Sequence, residues 1–291
     1  MNAIIFPGQG SQKVGMGREI CEQFAGANEI FERAGAVLDF DLRELCFNGP
    51  DETLKNTLHA QPALLVVGFI HFQAAKARGL EANLAAGHSL GEYTALVAAG
   101  ALEFEDALQL VKARAELMSN APQGAMAALI GLADDKLDAV LKVAGESGVC
   151  VAANFNSPGQ IVVSGEVAAV EAAMISAKNE GAKLAIRLPV SGAFHSPLLR
   201  DAGAQMSALI NAAPFIDARI PVYQNTTAKP ATKADELRAA LRPQMTSAVN
   251  WTQTVQNMIA DGATKFTELG PGSVLTGLVK RIDKSVELEN L

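Results

Sequence analysis

Short apolar runs alternate along the chain with longer stretches in which apolar positions recur every three or four residues. The short runs are typical of buried strands, and the periodic stretches are typical of helices that cover a sheet. This alternation predicts an α/β fold with a mostly parallel sheet. Pro62 places the start of the most apolar helix at Gln61, because proline suits a first helical turn. The predicted strands are residues 3–6, 84–86 and runs near Val222 and Phe266, and the predicted helices are residues 28–38, 61–77, 92–99 and 103–118, with helical patterning also up to Phe24.

The middle of the chain has a different order of elements. A strand, a helix, a hairpin, a second helix and a last strand follow one another, which is the βαββαβ order of a ferredoxin-like unit. We expect residues 124–189 to form such a subdomain, inserted into a larger α/β core made of residues 1–123 and 190–291. Its predicted elements are residues 126–132, 135–145, 149–154, 160–164, 167–179 and 183–188.

The composition of the chain excludes several classes of function. The 291 residues contain 24 Lys and Arg against 31 Asp and Glu, so the net charge of −7 lacks the basic footprint of a nucleic-acid binder. With 49% hydrophobic and 19% charged residues, widespread disorder is excluded. The uninterrupted apolar run at residues 63–70 is too short to span a bilayer, and the first residues lack a signal-peptide pattern. We therefore expect no membrane partner.

Cysteine and histidine usage indicates the compartment and the chemistry. Three widely spaced cysteines predict no disulfide framework, and a reducing cytoplasm is the expected location. Four histidines without a C-x-x-C or H-x-x-x-H pair predict no metal site. The turn after the first strand is not a G-x-G-x-x-G, and no G-K-[ST] occurs, so no nucleotide cofactor is expected.

A G-x-S-x-G pattern at Gly87, Ser89 and Gly91 is the sharpest local signal. A predicted strand precedes it and an alanine-rich helix follows, as a nucleophile elbow requires. The glycines permit the tight turn, and the helix N-terminus directs N–H groups at charge that develops beside Ser89. The alternative is a tight strand–helix turn that merely needs glycine.

A nucleophilic serine needs a base, and His195 is the best candidate. The side chain of His88 should diverge from that of its neighbour Ser89. His195 precedes Ser196-Pro197, an expected N-cap and first helical position, and a helix N-terminus favours a neutral imidazole that accepts protons. The alternative is a loop histidine that binds water. Since no acid is evident as a third member, we expect a Ser–His pair oriented by a backbone carbonyl or amide.

Arg114 is the most informative charge in the chain. On a helix over residues 103–118 it falls between Leu110 and Met118, within the apolar face. Arginine is seldom buried without an anion, so its guanidinium is a candidate fork for a ligand carboxylate. The alternative is that the side chain lies along the core and its head reaches water.

Gln9 lies in the glycine-rich turn after the first strand and could donate a hydrogen bond to an oxyanion, unless the turn is only structural. Gln9, Ser89 and His195 each closely follow a predicted strand. Because ligands bind at the carboxyl edge of an open α/β sheet, we expect these three residues to meet there.

Five strings occur in one order along the chain: F-P-G-Q-G-S-Q at 6–12, G-H-S-L-G-E-Y at 87–93, V-K-A-R-A-E-L-M at 111–118, A-A-N-F-N-S-P-G-Q-I-V-V-S-G at 152–165 and G-A-F-H-S-P at 192–197. In these strings the chain resembles the malonyl-CoA:acyl carrier protein transacylases of bacterial type II fatty acid synthesis. The resemblance implies a hydrolase-like α/β core with a ferredoxin-like insertion. It also implies malonyl-CoA, coenzyme A and acyl carrier protein as partners.

The resemblance also implies a role for each site residue. Ser89 would be the nucleophile, His195 the general base and acid, and Arg114 the ligand of the malonyl carboxylate. The oxyanion hole would be the backbone N–H groups of Gln9 and Leu90. The main-chain carbonyl of Gln244, in the string R-P-Q-M-T-S-A-V-N-W, would orient the histidine.

Two other classes remain as alternatives, a serine esterase or thioesterase with the same elbow, and a non-catalytic carrier-binding module. Arg114 and the missing triad acid favour transfer over hydrolysis. An acidic carrier protein would need a local basic patch on this acidic chain, and Lys183 with Arg187, or Lys280 with Arg281, are the candidates. A monomer is expected.

Overall fold

Ten strands form two separate sheets in the computed structural model, which describes residues 1–190 and 192–291. Ser191, next to the predicted boundary at 189 and 190, lies outside the described residues. The strands are β1 (Asn2–Phe6), β2 (Leu84–Gly87), β3 (Ala125–Ile130), β4 (Cys150–Ser157), β5 (Gln160–Gly165), β6 (Leu184–Arg187), β7 (Val222–Tyr223), β8 (Pro230–Ala231), β9 (Lys265–Glu268) and β10 (Glu287–Asn290).

Helices cover the strands and connect them. Short 3₁₀ turns occupy Asp134–Lys136, Pro197–Leu199 and Gln244–Thr246. The α-helices in the described residues are α1 (Arg18–Gln23), α2 (Ala27–Gly35), α3 (Leu42–Asn48), α4 (Asp51–Lys55), α5 (Thr57–Ala77), α6 (Gly91–Ala98), α7 (Phe104–Ser119), α8 (Leu137–Gly145), α9 (Val167–Asn179), α10 (Arg200–Ala212), α11 (Ala234–Leu241), α12 (Trp251–Ala260) and α13 (Val274–Ile282).

The larger sheet has the strand order β10-β9-β1-β2-β7-β8 and is parallel except for β8 at its edge. This confirms the predicted α/β fold with a mostly parallel sheet. Because successive side chains of β1 point to opposite faces, Ile4 and Phe6 pack with α5, α6 and α7, while Ala3 and Ile5 pack with α12 and α13. Phe6 pairs with Gly87, so β1 and β2 end at the same edge of the sheet.

The smaller sheet is antiparallel, with the strand order β4-β5-β3-β6. Along the chain its elements follow the order β3-α8-β4-β5-α9-β6. Leu129, Val140 and Val170 share an apolar core between this sheet and its two helices, whereas Met126 on the other face of β3 joins the core of the larger sheet. Strand β3 thus contributes side chains to the cores of both sheets, one core from each of its faces.

Helix α5 begins earlier than predicted. The Asn56 side chain caps it by accepting a hydrogen bond from the Leu58 N–H at 3.0 Å, so the helix starts at Thr57 and Pro62 lies inside it. The prediction of a start at Gln61 was wrong because the cap, and not the proline, determines where the first turn forms. Helix α5 is long and apolar enough to cross a membrane, but 78% of its most apolar window is buried inside the protein.

Candidate active site

Ser89 lies on a strained turn between β2 and α6, with a φ of 51°. The flanking glycines are required by close contacts. A Cβ on Gly87 would lie 1.9 Å from the carbonyl of Gly91, and a Cβ on Gly91 would lie 2.1 Å from the Phe6 oxygen. The predicted G-x-S-x-G pattern therefore forms a strand–turn–helix elbow that only glycine permits at these two positions.

Two buried side-chain amides hold the backbone of this turn. The Ser89 N–H donates to Asn225 Oδ1 at 2.7 Å, and Asn225 Nδ2 donates to the Gly87 carbonyl at 2.7 Å. Gln244 Nε2 donates to the Ser89 carbonyl at 2.8 Å. Asn225 follows β7, the neighbour of β2, and was not identified from the sequence because only tertiary contacts bring it to the elbow. The Ser89 N–H is thereby occupied and is not free to bind a ligand.

The serine hydroxyl and the imidazole of His195 are in hydrogen-bonding contact. Ser89 Oγ donates to His195 Nε2 at 2.7 Å. His195 Nδ1 lies 2.9 Å from the Gln244 carbonyl, to which it donates, and 3.1 Å from that of Ser247. Within the described residues no carboxylate bonds to this ring. The geometry is that of a Ser–His pair oriented by backbone carbonyls.

His195 reaches Ser89 by a different route from the one predicted. Gln9 and Ser89 do follow parallel strands of the larger sheet, but the strand before His195 is β6, at the edge of the smaller sheet. The expectation that all three residues follow strands on one carboxyl edge was therefore wrong. The segment that returns from the smaller sheet carries His195 across to the elbow, and its backbone there has a φ of 57°.

The imidazole of His195 is held in its neutral form. Burial, and then the positive charge of Arg114, lower the pKa of His195 to about 3. The sequence predicted a neutral ring from the following helix N-terminus, and Ser196 does cap that turn by accepting from the Leu198 N–H. Burial is the main cause. The ring is ready to accept a proton throughout the neutral pH range.

Arg114 is buried and faces the serine. Only 1% of the residue is exposed, which excludes the alternative that its head reaches water. Its Nη1 donates to Gln61 Oε1 at 2.5 Å, and its Nη2 donates to Ser89 Oγ at 3.0 Å and to Gln244 Oε1 at 3.0 Å. Its Nε has no partner in the described part of the chain. A buried cation with neutral partners and a spare N–H can bind an anionic ligand.

Glu92 and Gln61 are further buried polar residues that the sequence analysis missed. Gln244 Nε2 donates to Glu92 Oε2 at 2.7 Å, and burial raises the pKa of Glu92 to about 7. Both residues are 0% exposed. The sequence analysis placed each of them at the first position of a predicted helix, where a polar residue is ordinary, so the argument that singled out Arg114 did not apply to them.

His88 points away from the serine, as expected. Its Nε2 donates to Asn156 Oδ1 at 2.8 Å, and its ring lies 5.7 Å from that of Trp251. Burial lowers the pKa of His88 as well, so its ring is also neutral. These contacts attach the elbow to β4 and α12.

A cavity of about 110 Å³ lies over the serine. Gln9 lines this cavity, and its side chain donates to Thr57 Oγ1 at 3.1 Å. In the described residues the N–H groups of Gln9 and Leu90 donate to no protein acceptor. No serine lines the larger cavity of about 560 Å³ beside His71. The residues that line the smaller cavity are Gln9, His88, Ser89, Leu90, Arg114, Met118, Met126, Asn154, Leu188, Val190, Phe194 and His195.

Known proteins of one family match this chain over nearly its whole length. Residues 3–289 match the acyl transferase domain family. The chain is 43% identical over 289 residues to the malonyl CoA-acyl carrier protein transacylase of Bacillus subtilis, covering 98% of this chain and 91% of that protein. An acyl carrier protein S-malonyltransferase structure from Vibrio cholerae superposes with a TM-score of 0.96 at 42% identity, covering 100% of this chain and 96% of that one. A malonyl-transacylase in complex with its type II PKS acyl-carrier protein has a TM-score of 0.96 at 38% identity, covering 100% and 95%.

Proposed function

The chain belongs to the acyl transferase family and is a malonyl transferase, and on that premise we propose that it moves malonyl from coenzyme A to the phosphopantetheine thiol of acyl carrier protein through an ester on Ser89. This transfer would supply extender units for fatty acid synthesis. The observation that carries the proposal is the bond between Ser89 and His195 beside the buried Arg114. A cavity of about 110 Å³ admits a short acyl group while the rest of coenzyme A stays outside.

In the first step His195 Nε2 takes the proton of Ser89 as the oxygen attacks the malonyl thioester carbon. The negative charge on the carbonyl oxygen is stabilised by the free N–H groups of Gln9 and Leu90. The carbon–sulfur bond then breaks, and the proton on His195 passes to the sulfur of coenzyme A. The product is a malonyl-serine ester.

In the second step the phosphopantetheine thiol of the carrier protein attacks this ester. His195 accepts the thiol proton, the bond between the malonyl carbon and Ser89 Oγ breaks, and the serine recovers its proton from His195. The carbonyl of Gln244 keeps the ring oriented in both steps because it accepts from Nδ1. These steps use no metal and no redox cofactor.

Mixing the protein with malonyl-CoA alone tests the covalent step. Intact-mass measurement is expected to show one added malonyl group, which peptide mapping places on Ser89. Adding holo acyl carrier protein is expected to remove the group and to transfer it to the carrier. Release of free malonate in place of malonyl-carrier would instead support the esterase alternative, and no adduct at all would support a non-catalytic carrier-binding module.

Arg114→Ala is expected to lower malonyl transfer while sparing or improving acetyl transfer. A bidentate bond to the malonyl carboxylate is worth roughly 1.5–3 kcal/mol. The expected loss in kcat/KM for malonyl-CoA is therefore about tenfold to a few hundredfold. Arg114→Lys should restore only part of this, because an ammonium cannot form the planar fork. Measuring kcat/KM for both thioesters on each variant is the test, and an equal loss for malonyl and acetyl would make Arg114 structural.

We also propose a preference for malonyl over methylmalonyl. Phe194 directly precedes the base and lines the cavity, and only 7% of it is exposed. Its ring would crowd a methyl group on the α-carbon of the substrate.

The carrier protein would dock on a local basic patch. Arg187 is paired with Glu171 at 3.0 Å, and Arg281 contacts Gln160. We propose Lys183 with Arg187, or alternatively Lys280 with Arg281, as the docking patch. Attraction between these lysines and an acidic carrier would be weakened by salt.

The proposal includes the domain organisation and setting expected from the sequence. Residues 124–189 would form a ferredoxin-like insertion in a hydrolase-like core of residues 1–123 and 190–291. The strand order β4-β5-β3-β6 supports this description. So does the bridge between Gln123 and Gly192, which lie where the inserted segment begins and ends. The protein would act as a monomer in the cytoplasm, without nucleic-acid or membrane partners.

A further inference from the structure

The buried guanidinium of Arg114 is linked to one buried carboxyl through an amide. Gln244 Oε1 accepts from Arg114 Nη2 at 3.0 Å, and Gln244 Nε2 donates to Glu92 Oε2 at 2.7 Å. The negative end of the amide dipole thus faces the cation, and its positive end faces the carboxyl. A buried charge is costly unless an opposite charge compensates it. Arg114 is buried, and its hydrogen-bond partners in the described residues are the neutral side chains of Gln61, Ser89 and Gln244. Glu92 is positioned to compensate it through this amide.

The surroundings of Glu92 contain few other charges. Its helix α6 packs against β1, β2, α5 and α7. Strands β1 and β2 have no titratable side chain, α5 contributes the neutral Gln61, and α7 contributes Arg114, the charge that acts on Glu92. Tyr93, on α6 itself, stays neutral because burial raises its pKa. Burial raises the pKa of Glu92, and hydrogen bonds from Gln244 and the Asn225 backbone, followed by the charge of Arg114, oppose that rise. Arg114 is the one charged group among these causes, so a new partner for Arg114 changes the electrostatic environment of Glu92.

We propose that Glu92 is the countercharge of Arg114 in the empty site and takes up a proton from solvent when the carboxylate of malonyl-CoA binds Arg114. This inference rests on the malonyl transfer proposed above. The incoming carboxylate replaces Glu92 as the partner of the cation and repels a second buried anion. Protonation of Glu92 removes that repulsion and keeps Gln244, which orients His195, bonded on both sides. Glu92 is thus a positioning residue whose charge responds to the substrate.

The consequence is a pH dependence specific to carboxylate-bearing substrates. Since burial places the pKa of Glu92 at about 7 in the empty site, the carboxyl is ionised above that pH and must gain a proton when malonyl-CoA binds. Malonyl-CoA affinity should then fall as pH rises, by up to about tenfold per pH unit. Below that pKa Glu92 is already protonated and the affinity should level off. Acetyl-CoA has no carboxylate and should not show this dependence.

Calorimetry on the Ser89→Ala protein tests the inference, because the thioester then binds without reacting. Titrations at about pH 8 in two buffers of different ionisation enthalpy count the protons taken up. We expect roughly half to one proton for malonyl-CoA beyond that for acetyl-CoA. The difference between the two ligands cancels the phosphates of coenzyme A. His195 adds nothing, since its pKa of about 3 leaves the ring neutral even after a substantial rise.

Glu92→Gln in the Ser89→Ala background is the decisive variant. The glutamine has nearly the same volume and no charge, so the extra uptake should vanish and the affinity for malonyl-CoA should become independent of pH. Glu116→Gln, on the exposed face of α7, is the matched control and should leave the uptake unchanged. Should Glu92→Gln fail to fold, the comparison of malonyl-CoA with acetyl-CoA on Ser89→Ala decides alone.

Two results would overturn the proposal: equal uptake for both thioesters, or extra uptake that persists in Glu92→Gln. Tight, selective binding of malonyl-CoA without proton uptake overturns this inference and leaves the proposed function standing. Binding of malonyl-CoA no tighter than that of acetyl-CoA overturns both, because the carboxylate then has no site.

Discussion

His195→Ala is expected to lower malonyl transfer by about 10⁴-fold or more, because the base acts on the nucleophile as one unit. The His195 ring accepts a hydrogen bond from the serine hydroxyl at 2.7 Å and donates to the Gln244 carbonyl. Among the described titratable groups, Arg114 is the other one that bonds to this hydroxyl, as a donor. Single-turnover rates with malonyl-CoA and holo carrier protein measure the effect. His71→Ala, at a separate cavity that shares no lining residue with the one over Ser89, is the matched control and should change the rate by less than about twofold.

The same variant has a predicted signature in acid stability. The pKa of His195 is lowered to about 3 in the folded protein and is ordinary in the unfolded chain, so the unfolded chain binds the proton first as pH falls. This destabilises the parent progressively below about pH 6.5. His195→Ala lacks that contribution and should lose less stability between neutral and acid pH.

For the transfer measurement, a rate of His195→Ala within about tenfold of the parent would assign the base to another residue.

Ser89→Ala is expected to abolish the covalent malonyl adduct and to lower transfer by a similar factor. Since each residue is ineffective without the other, combining both substitutions should cost little more than either alone. Intact-mass analysis after malonyl-CoA treatment provides the measurement. Ser147→Ala, at an exposed position after α8, is the control and should acquire the full label. A label on Ser89→Ala would disprove the assignment of the nucleophile.

The sequence predicts the elements of this fold best where they are long and periodic. Helices α7 and α9 lie within one residue of their predicted bounds, since their apolar faces repeat over several turns. The short helix α1 was predicted only as helical patterning up to Phe24, and α3 and α4 were not predicted, because five to seven residues contain too few repeats to define a period. Capping at Asn56 outweighed the signal of Pro62 because a side-chain hydrogen bond is local and specific.

Some site residues could be recognised from the local sequence, and others could not. Ser89 and Arg114 stood out because each breaks a local rule, a serine between close glycines and a charge on an apolar face. Asn225 could not be found in this way, since its contacts with Gly87 and Ser89 join segments more than 130 residues apart. The amide of Gln244 was missed for the same reason, although the family resemblance indicated its carbonyl.

The contact between Arg114 and Ser89 Oγ has a consequence for covalent inhibitors. In the empty site the guanidinium donates to the oxygen that must attack, at 3.0 Å, and so withdraws electron density from it. A neutral serine-directed reagent must therefore react with an oxygen whose nucleophilicity is lowered. A reagent with a carboxylate would engage the arginine in place of the serine oxygen. It would also offset the positive charge of Arg114, which after burial is the largest cause that lowers the pKa of His195. Selectivity against other serine enzymes would therefore come from the anion on the warhead and not from the reactivity of its electrophile.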